Sequence, residues 1–164
     1  GRRWGTGTAG SRSLPFLLFA GLAYATLALA PPWEHAHLSG PLPRHGPVPW
    51  VGIGLFAAGI ALQSWAMWAL HGGFRVQVGV SPGQRLVTSG PYGLVRHPGY
   101  LSYLVSITGI ALAMGSLIAF GLLAAVAFYL VRLARREEEA LVAAFGEEYR
   151  SYQRRVRRLI PFIY

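Results

Sequence analysis

Long apolar runs alternate with short polar breaks along this chain. Three runs stand out: Leu14–Ala30, Val48–Leu70 and Tyr100–Val131. The first two reach the length of about 20 apolar residues that crosses a bilayer core. The third is too long for one crossing and breaks at Met114-Gly115-Ser116, so it reads as two shorter helices joined by a tight turn. The pattern predicts an all-α polytopic membrane protein: about four transmembrane helices, with a helical hairpin and C-terminal cytoplasmic helices.

The segments between the runs carry the polar residues. Residues 31–47, rich in Pro, Gly and His, form a short external loop in this reading. Residues 71–99 form a long inner loop, broken up by Gly72, Gly73, Gly79, Pro82, Gly83, Gly90 and Pro91. A loop of that length in a small chain is usually functional. Beyond the hairpin, Glu137–Phe145 continues helically with Leu141, Val142 and Phe145 on one face. Gly146 then ends it, and Glu147–Arg158 is expected as a second, basic helix along the membrane surface. The chain thus divides into a basic tail (1–13), two transmembrane helices (14–70) and a core (71–164).

Inside the helices, Gln63 is strongly polar and should face protein rather than lipid. Trp50 near one end of the second helix, and Trp65 and Trp68 near the other, fit an interfacial aromatic belt. Gly54 and Ala58, Gly109 and Ala113, and Gly121 and Ala125 have the small-xxx-small spacing that lets backbones approach closely.

Composition agrees with the pattern. The chain is 53% hydrophobic and 13% charged, against about 25% charged for a soluble domain. All fifteen cationic residues are Arg. With the N-terminus inside and four helices threaded, Arg44 alone falls outside and the other fourteen fall inside, as the positive-inside rule requires. The net charge of +9 then serves anionic lipid head groups, not nucleic acid, because the Arg residues flank apolar helices instead of forming a soluble patch. The lack of Lys is in keeping with a GC-rich genome and a bacterial inner membrane, with both termini cytoplasmic. Arg2, Arg3 and Arg12 before a run ending Ala28-Leu29-Ala30 also resemble a signal peptide, but the run is longer than a usual signal core and a retained first helix is expected. Without Cys there is neither a disulfide nor a thiolate metal site. His35, His37 and His45 lack accompanying acids in number, so no metal is expected.

Two polar clusters stand at the feet of the hairpin: Arg96, His97 and Tyr100 before it, and Arg135-Arg136-Glu137-Glu138-Glu139 after it. Singly, each has an ordinary explanation. Pro98 suits the first turn of a helix, the Arg residues are inside cations, and the Glu residues are solvated partners for them. Together they can form two walls of one site, because the hairpin returns the chain to the same membrane face. Aromatic rings, a carboxylate and an imidazole suit an adenosine-bearing ligand with a cationic centre. A Walker loop and a Gly-x-Gly-x-x-Gly turn are both missing.

Leu86-Val-Thr-Ser-Gly-Pro-Tyr92, Arg96-His-Pro-Gly-Tyr100, Glu137-Glu138, Phe145-Gly-Glu-Glu-Tyr149 and Pro161-Phe-Ile163 together resemble the isoprenylcysteine carboxyl methyltransferase family, which is related to the phospholipid methyltransferases. The resemblance covers about residues 72–163. It implies a membrane-embedded enzyme using S-adenosylmethionine and methylating a lipophilic small molecule or prenylated substrate. The positions it assigns to the cofactor are Gln77, Gln84, Arg85, Leu86, Val87, Tyr92, His97, Pro98, Gly99, Tyr100 and Glu137, with Glu138 beside it. Arg96, His97 and Tyr100 would position the reactants. The sequence departs from the family at Gln84, often a His there, and at Leu133, where a substrate-facing Arg is usual. Arg132 or Arg136 would have to replace that Arg. The competing readings are a phospholipid or small-molecule N- or S-methyltransferase and a non-catalytic membrane scaffold.

Overall fold

The structure is a computed structural model and describes residues 25, 27, 29–37, 45–70 and 86–160. Residues 29–37 are helical (α1). They are followed by α2 (Pro47–Ala69), a 3-10 turn (Gly90–Gly93), α3 (Pro98–Met114), α4 (Leu117–Phe145) and α5 (Glu147–Arg155). Among the described residues there is no strand, only one isolated parallel bridge between Val95 and Arg157. The tail, most of the first apolar run, residues 71–85 and Pro161–Ile163 lie outside the described residues.

Two of the described helices, α2 and α4, are long and apolar enough to cross a membrane. A buried core helix of a soluble protein could share that composition, but its surroundings would differ. On α2, Trp50, Val51, Ile53, Phe56, Ile60, Met67 and Trp68 are all exposed, an arrangement that water penalises and lipid does not. The 17 residues of α3 span about 26 Å, slightly less than a hydrocarbon core. The 29 residues of α4 span about 43 Å, so this helix extends well past the core.

Antiparallel α2 and α3 pack closely enough that glycine is required between them. A Cβ on Gly109 would lie 2.5 Å from Phe56 N and 2.6 Å from Gly52 O, and a Cβ on Gly52 would strike Ala113 N. Gly59 is likewise closed off by Ser106 and by the carbonyl of Ser102. The interface therefore uses Gly52 and Gly59, seven residues apart on α2. Gly54, expected there from its spacing to Ala58, faces open space, as does Gly121. Gly109 behaves as its spacing to Ala113 suggests. Gln63 does face protein: the Ser102 hydroxyl donates to Gln63 Oε1 at 2.5 Å.

The long third run breaks where its sequence does. Gly115 adopts a left-handed conformation (φ 60°), and the Ser116 N–H bonds to Ala111 O at 3.1 Å, closing α3. Ser116 then caps α4 by accepting from Ala119 N. A second cap comes from α1. Glu34 is 1% exposed. Its carboxylate accepts from the Ser116 hydroxyl at 2.5 Å, from Leu117 N at 2.9 Å and from Ile118 N at 3.4 Å. These bonds occupy the amides that a helix start leaves unpaired.

At the other end, Gly146 (φ 57°) stops α4 and starts α5. The expected helix to Arg158 ends at Arg155 instead, with Val156 extended (φ −119°, ψ 135°). Glu147 and Glu148 in its first turn and Arg154 and Arg155 in its last suit the helix dipole. Tyr149 and Tyr152 on its inner face are buried.

Candidate active site

The fold brings the two polar clusters together. Pro98 sets the start of α3: lacking an N–H, it sits in the first turn and leaves His97 in a non-helical cap conformation. The backbone before it is then free to pair. Arg96 N donates to Arg157 O at 2.7 Å and His97 N to Arg158 O at 3.0 Å, so residues 156–158 run as a strap beside 95–97. Tyr152 strengthens the junction by donating its hydroxyl to Tyr92 O at 2.6 Å.

Under the strap lies Glu138. The buried stripe of α4 (Val126, Leu130, Ala134) advances four residues at a time and arrives at this carboxylate. Oε1 accepts from Arg96 Nε at 2.9 Å, Arg158 Nε at 3.0 Å and His97 Nε2 at 3.1 Å. Oε2 accepts from Arg158 NH2 at 2.8 Å and Gln153 Nε2 at 3.3 Å. Arg96 also donates to the carbonyls of Gln153 and Val156. Every oxygen lone pair of Glu138 is thus committed within the protein, and the buried charge is fully hydrogen-bonded, as its burial demands.

Glu137, about 100° round the helix, is different. Its side chain is 31% exposed. Oε2 accepts from the Tyr100 hydroxyl at 2.8 Å and faces His97 Nδ1 at 3.4 Å. The rings of His97 and Tyr100, three residues apart, stack in parallel with centroids 5.1 Å apart. Burial, followed by the Glu137 charge, pushes the Tyr92 phenol up to about 12. Tyr92, His97, Tyr100 and Glu137 therefore share one neighbourhood: a carboxylate backed by an imidazole and bordered by phenols.

Residues 48–148 match the phospholipid methyltransferase family. The chain belongs to that family. It is 32% identical to the mouse (Mus musculus) protein-S-isoprenylcysteine O-methyltransferase over 155 residues, covering 90% of this chain and 54% of that protein. Over 78 residues it is 42% identical to the cobalt-zinc-cadmium resistance protein CzcN of Cupriavidus metallidurans, 46% of this chain and 35% of the relative. The fold is shared with the solved structure of the eukaryotic intramembrane Ras methyltransferase ICMT: TM-score 0.69, 23% identity, 94% of this chain and 55% of that one. The chain spans about half the length of the isoprenylcysteine O-methyltransferases it matches. The resemblance drawn from the sequence motifs is borne out.

In this phospholipid methyltransferase family member, the other sequence-derived positions distribute as follows. Pro98 is buried and Gly99 lies beside Gln63, where an added Cβ would stand 3.6 Å from Oε1. Leu86 and Val87 are half-buried, ahead of the 3-10 turn. The Arg132 guanidinium lies 5.1 Å from the centre of the exposed Phe128 ring, and Arg136 is exposed. Gln77, Gln84 and Arg85 lie outside the described residues. Sequence reasoning missed Arg158, Gln153 and Tyr152, which look like parts of a generic basic tail. A signal for Glu138 did exist in the four-residue stripe from Val126. Among the described residues no group of three or more His, Cys, Asp or Glu could hold a metal ion. His35 and His37 are each bonded to a backbone carbonyl, of Met114 and Trp33.

Proposed function

We propose that this chain is an integral membrane S-adenosylmethionine-dependent methyltransferase acting on the carboxyl group of an isoprenylcysteine-like or other lipophilic acceptor. The observation that carries the reading is Glu137, a partly exposed carboxylate held by Tyr100 and His97 at the foot of an apolar hairpin, in a chain of this family. The donor set suits such a cofactor: a carboxylate accepts from ribose hydroxyls or an ammonium, and the rings of Tyr92 and Tyr100 favour a sulfonium. Tyr92, His97 to Tyr100 and Glu137 would hold it, with Gln77, Gln84, Arg85, Leu86 and Val87 completing the pocket from the preceding loop. Glu138 supports the site from behind.

The cofactor, when bound, supplies an electrophilic methyl group on sulfur. The protein's own work is to align and dehydrate. A carboxylate acceptor, with a reference pKa near ~4, is ionised before it arrives. Positioning by Arg96, His97 and Tyr100 and exclusion of water by the apolar helices therefore account for the chemistry required of the chain. Arg132 and Arg136 stand midway along the same helix, just before Glu137, and suit an anionic acceptor. Four crossings, both termini inside and a bacterial inner membrane complete the reading; the Arg distribution supports it.

The test is calorimetric titration of S-adenosylhomocysteine into detergent-purified protein, beside a folded Glu137→Gln variant. Binding in the wild type that is lost in the variant is expected. A stable, folded wild type that does not bind would overturn the reading.

A further inference from the structure

His97 presents each of its ring nitrogens to a different carboxylate: Nδ1 is 3.4 Å from Glu137 Oε2, and Nε2 is 3.1 Å from Glu138 Oε1. A neutral imidazole has one N–H and one lone pair, so in either tautomer a lone pair would be aimed at a carboxylate oxygen. The ring is 6% exposed, leaving water little room to relieve that clash. Two ring protons make both contacts favourable. The ring also lies parallel to that of Tyr100 at 5.1 Å, a distance at which a cation gains from the aromatic face.

The groups facing His97 from each packed element are Glu137 and Glu138 of α4, Tyr100 of α3, Arg96 of its own segment and Arg158 of the strap. Both guanidiniums converge on Glu138; the Tyr100 hydroxyl donates to Glu137. The imidazole is therefore the cation these contacts set against Glu137.

We propose that His97 is a doubly protonated positioning residue that fixes Glu137, not a general base, and that the site accordingly selects acceptors already ionised, such as carboxylates, over amines that must first lose a proton to it. The second half rests on the methyltransferase reading. In the transfer, the acceptor oxygen's lone pair forms the bond to the methyl carbon while the carbon–sulfur bond breaks and its electron pair stays on sulfur. No proton moves. An ammonium acceptor would have to surrender one, and an imidazolium cannot take it. In accord with the geometry, burial draws the His97 pKa down, but hydrogen bonds and charges from Glu137 and Glu138 outweigh it and raise the value above that of a free His.

The test is nitrogen-15 NMR of the full chain in detergent micelles, labelled at its five histidines. The His97 signal is identified by loss in His97→Gln and by its shift in Glu137→Gln. Imidazolium signals from both ring nitrogens at pH 7, and a midpoint lowered by about one unit or more in Glu137→Gln, are the expected result. The separated signals of a neutral tautomer at pH 7 would overturn the proposal. Methyl transfer to an S-prenylated cysteine and to a lipophilic amine, followed against pH in the same preparation, tests the substrate half. The carboxylate rate should show no rise as His97 deprotonates, and faster turnover of the amine would overturn selection. S-adenosylhomocysteine titration separates the two ideas. Binding with a neutral His97 refutes the charge state and leaves the enzyme reading standing; an imidazolium without binding refutes the enzyme reading and, with it, the substrate half.

Discussion

Arg158 reaches back twenty residues to Glu138 and grips both of its oxygens, Nε on Oε1 at 3.0 Å and NH2 on Oε2 at 2.8 Å. This two-point contact fastens the strap to α4 and holds the backbone of His97 through the Arg158 carbonyl. The adjacent Glu137 is left to face the candidate pocket. Consecutive glutamates thus have separate duties, which helix geometry assigns by the 100° between them.

Removing Glu138 leaves Arg96, Arg158 and His97 crowded without their counter-charge. Glu138→Ala should lower stability by about 3–5 kcal/mol. Arg158→Ala should cost less, about 1–3 kcal/mol, because Arg96 and His97 remain on the carboxylate. Thermal unfolding in detergent, followed by circular dichroism, measures both; equal and negligible losses would contradict the clamp.

Glycine substitutions should divide by position and not by motif. Gly109→Ala drives a methyl group into the backbone of α2, and a loss of about 1–3 kcal/mol is expected. Gly54→Ala and Gly121→Ala meet nothing and should stabilise by up to about 1 kcal/mol through helix propensity. Unfolding midpoints of the three variants, compared in one detergent, decide the matter.

Glu34 should make stability fall in acid. Its hydrogen bond from Ser116, assisted by the amides of Leu117 and Ile118, outweighs burial and holds its pKa below 4.5. A depressed carboxylate stabilises fully above its unfolded pKa and loses that contribution as pH falls through the folded value. Glu34→Ala should cost about 0.5–2 kcal/mol near neutral pH, as for loss of a helix cap, and should flatten the acid limb of the unfolding midpoint plotted against pH.

His97 carries the opposite sign. With its pKa raised, its contribution is complete below about pH 6.5 and disappears as pH rises through the folded value. The wild type should therefore lose stability on the alkaline side, and His97→Gln should show less of that slope. Midpoints measured from about pH 6 to 9 test this; identical slopes in the two proteins would contradict a charged His97.

The features legible in the sequence were local ones. The hairpin turn at Gly115-Ser116 and the stop at Gly146 follow from backbone freedom that few other residues have. Gln63 faces protein because lipid offers it no partner. The contacts of α2 were not legible, since a helix apolar on all sides gives no periodic sign of which face meets a neighbour, and Gly52 and Gly54 look equivalent in the sequence. Residues 156–158 hid for another reason. Their extended course comes from pairing with residues some sixty positions earlier, which local helix propensity does not register. The shared neighbourhood of His97, Tyr100 and Glu137 was foreseeable from the hairpin, whereas the diversion of Glu138 depended on Arg158.

The parallel pairing of Val95 with Arg157 also orders the events of synthesis. The chain is made from its N-terminus, so α2, α3 and α4 are translated before the strap that closes over them. Until residues 153–158 follow, Glu138 has only Arg96 and His97 as donors, Arg96 lacks its carbonyl acceptors and His97 lacks its backbone acceptor. Helix formation and site closure are consequently separable, and the candidate site is the last part of the described chain to be completed.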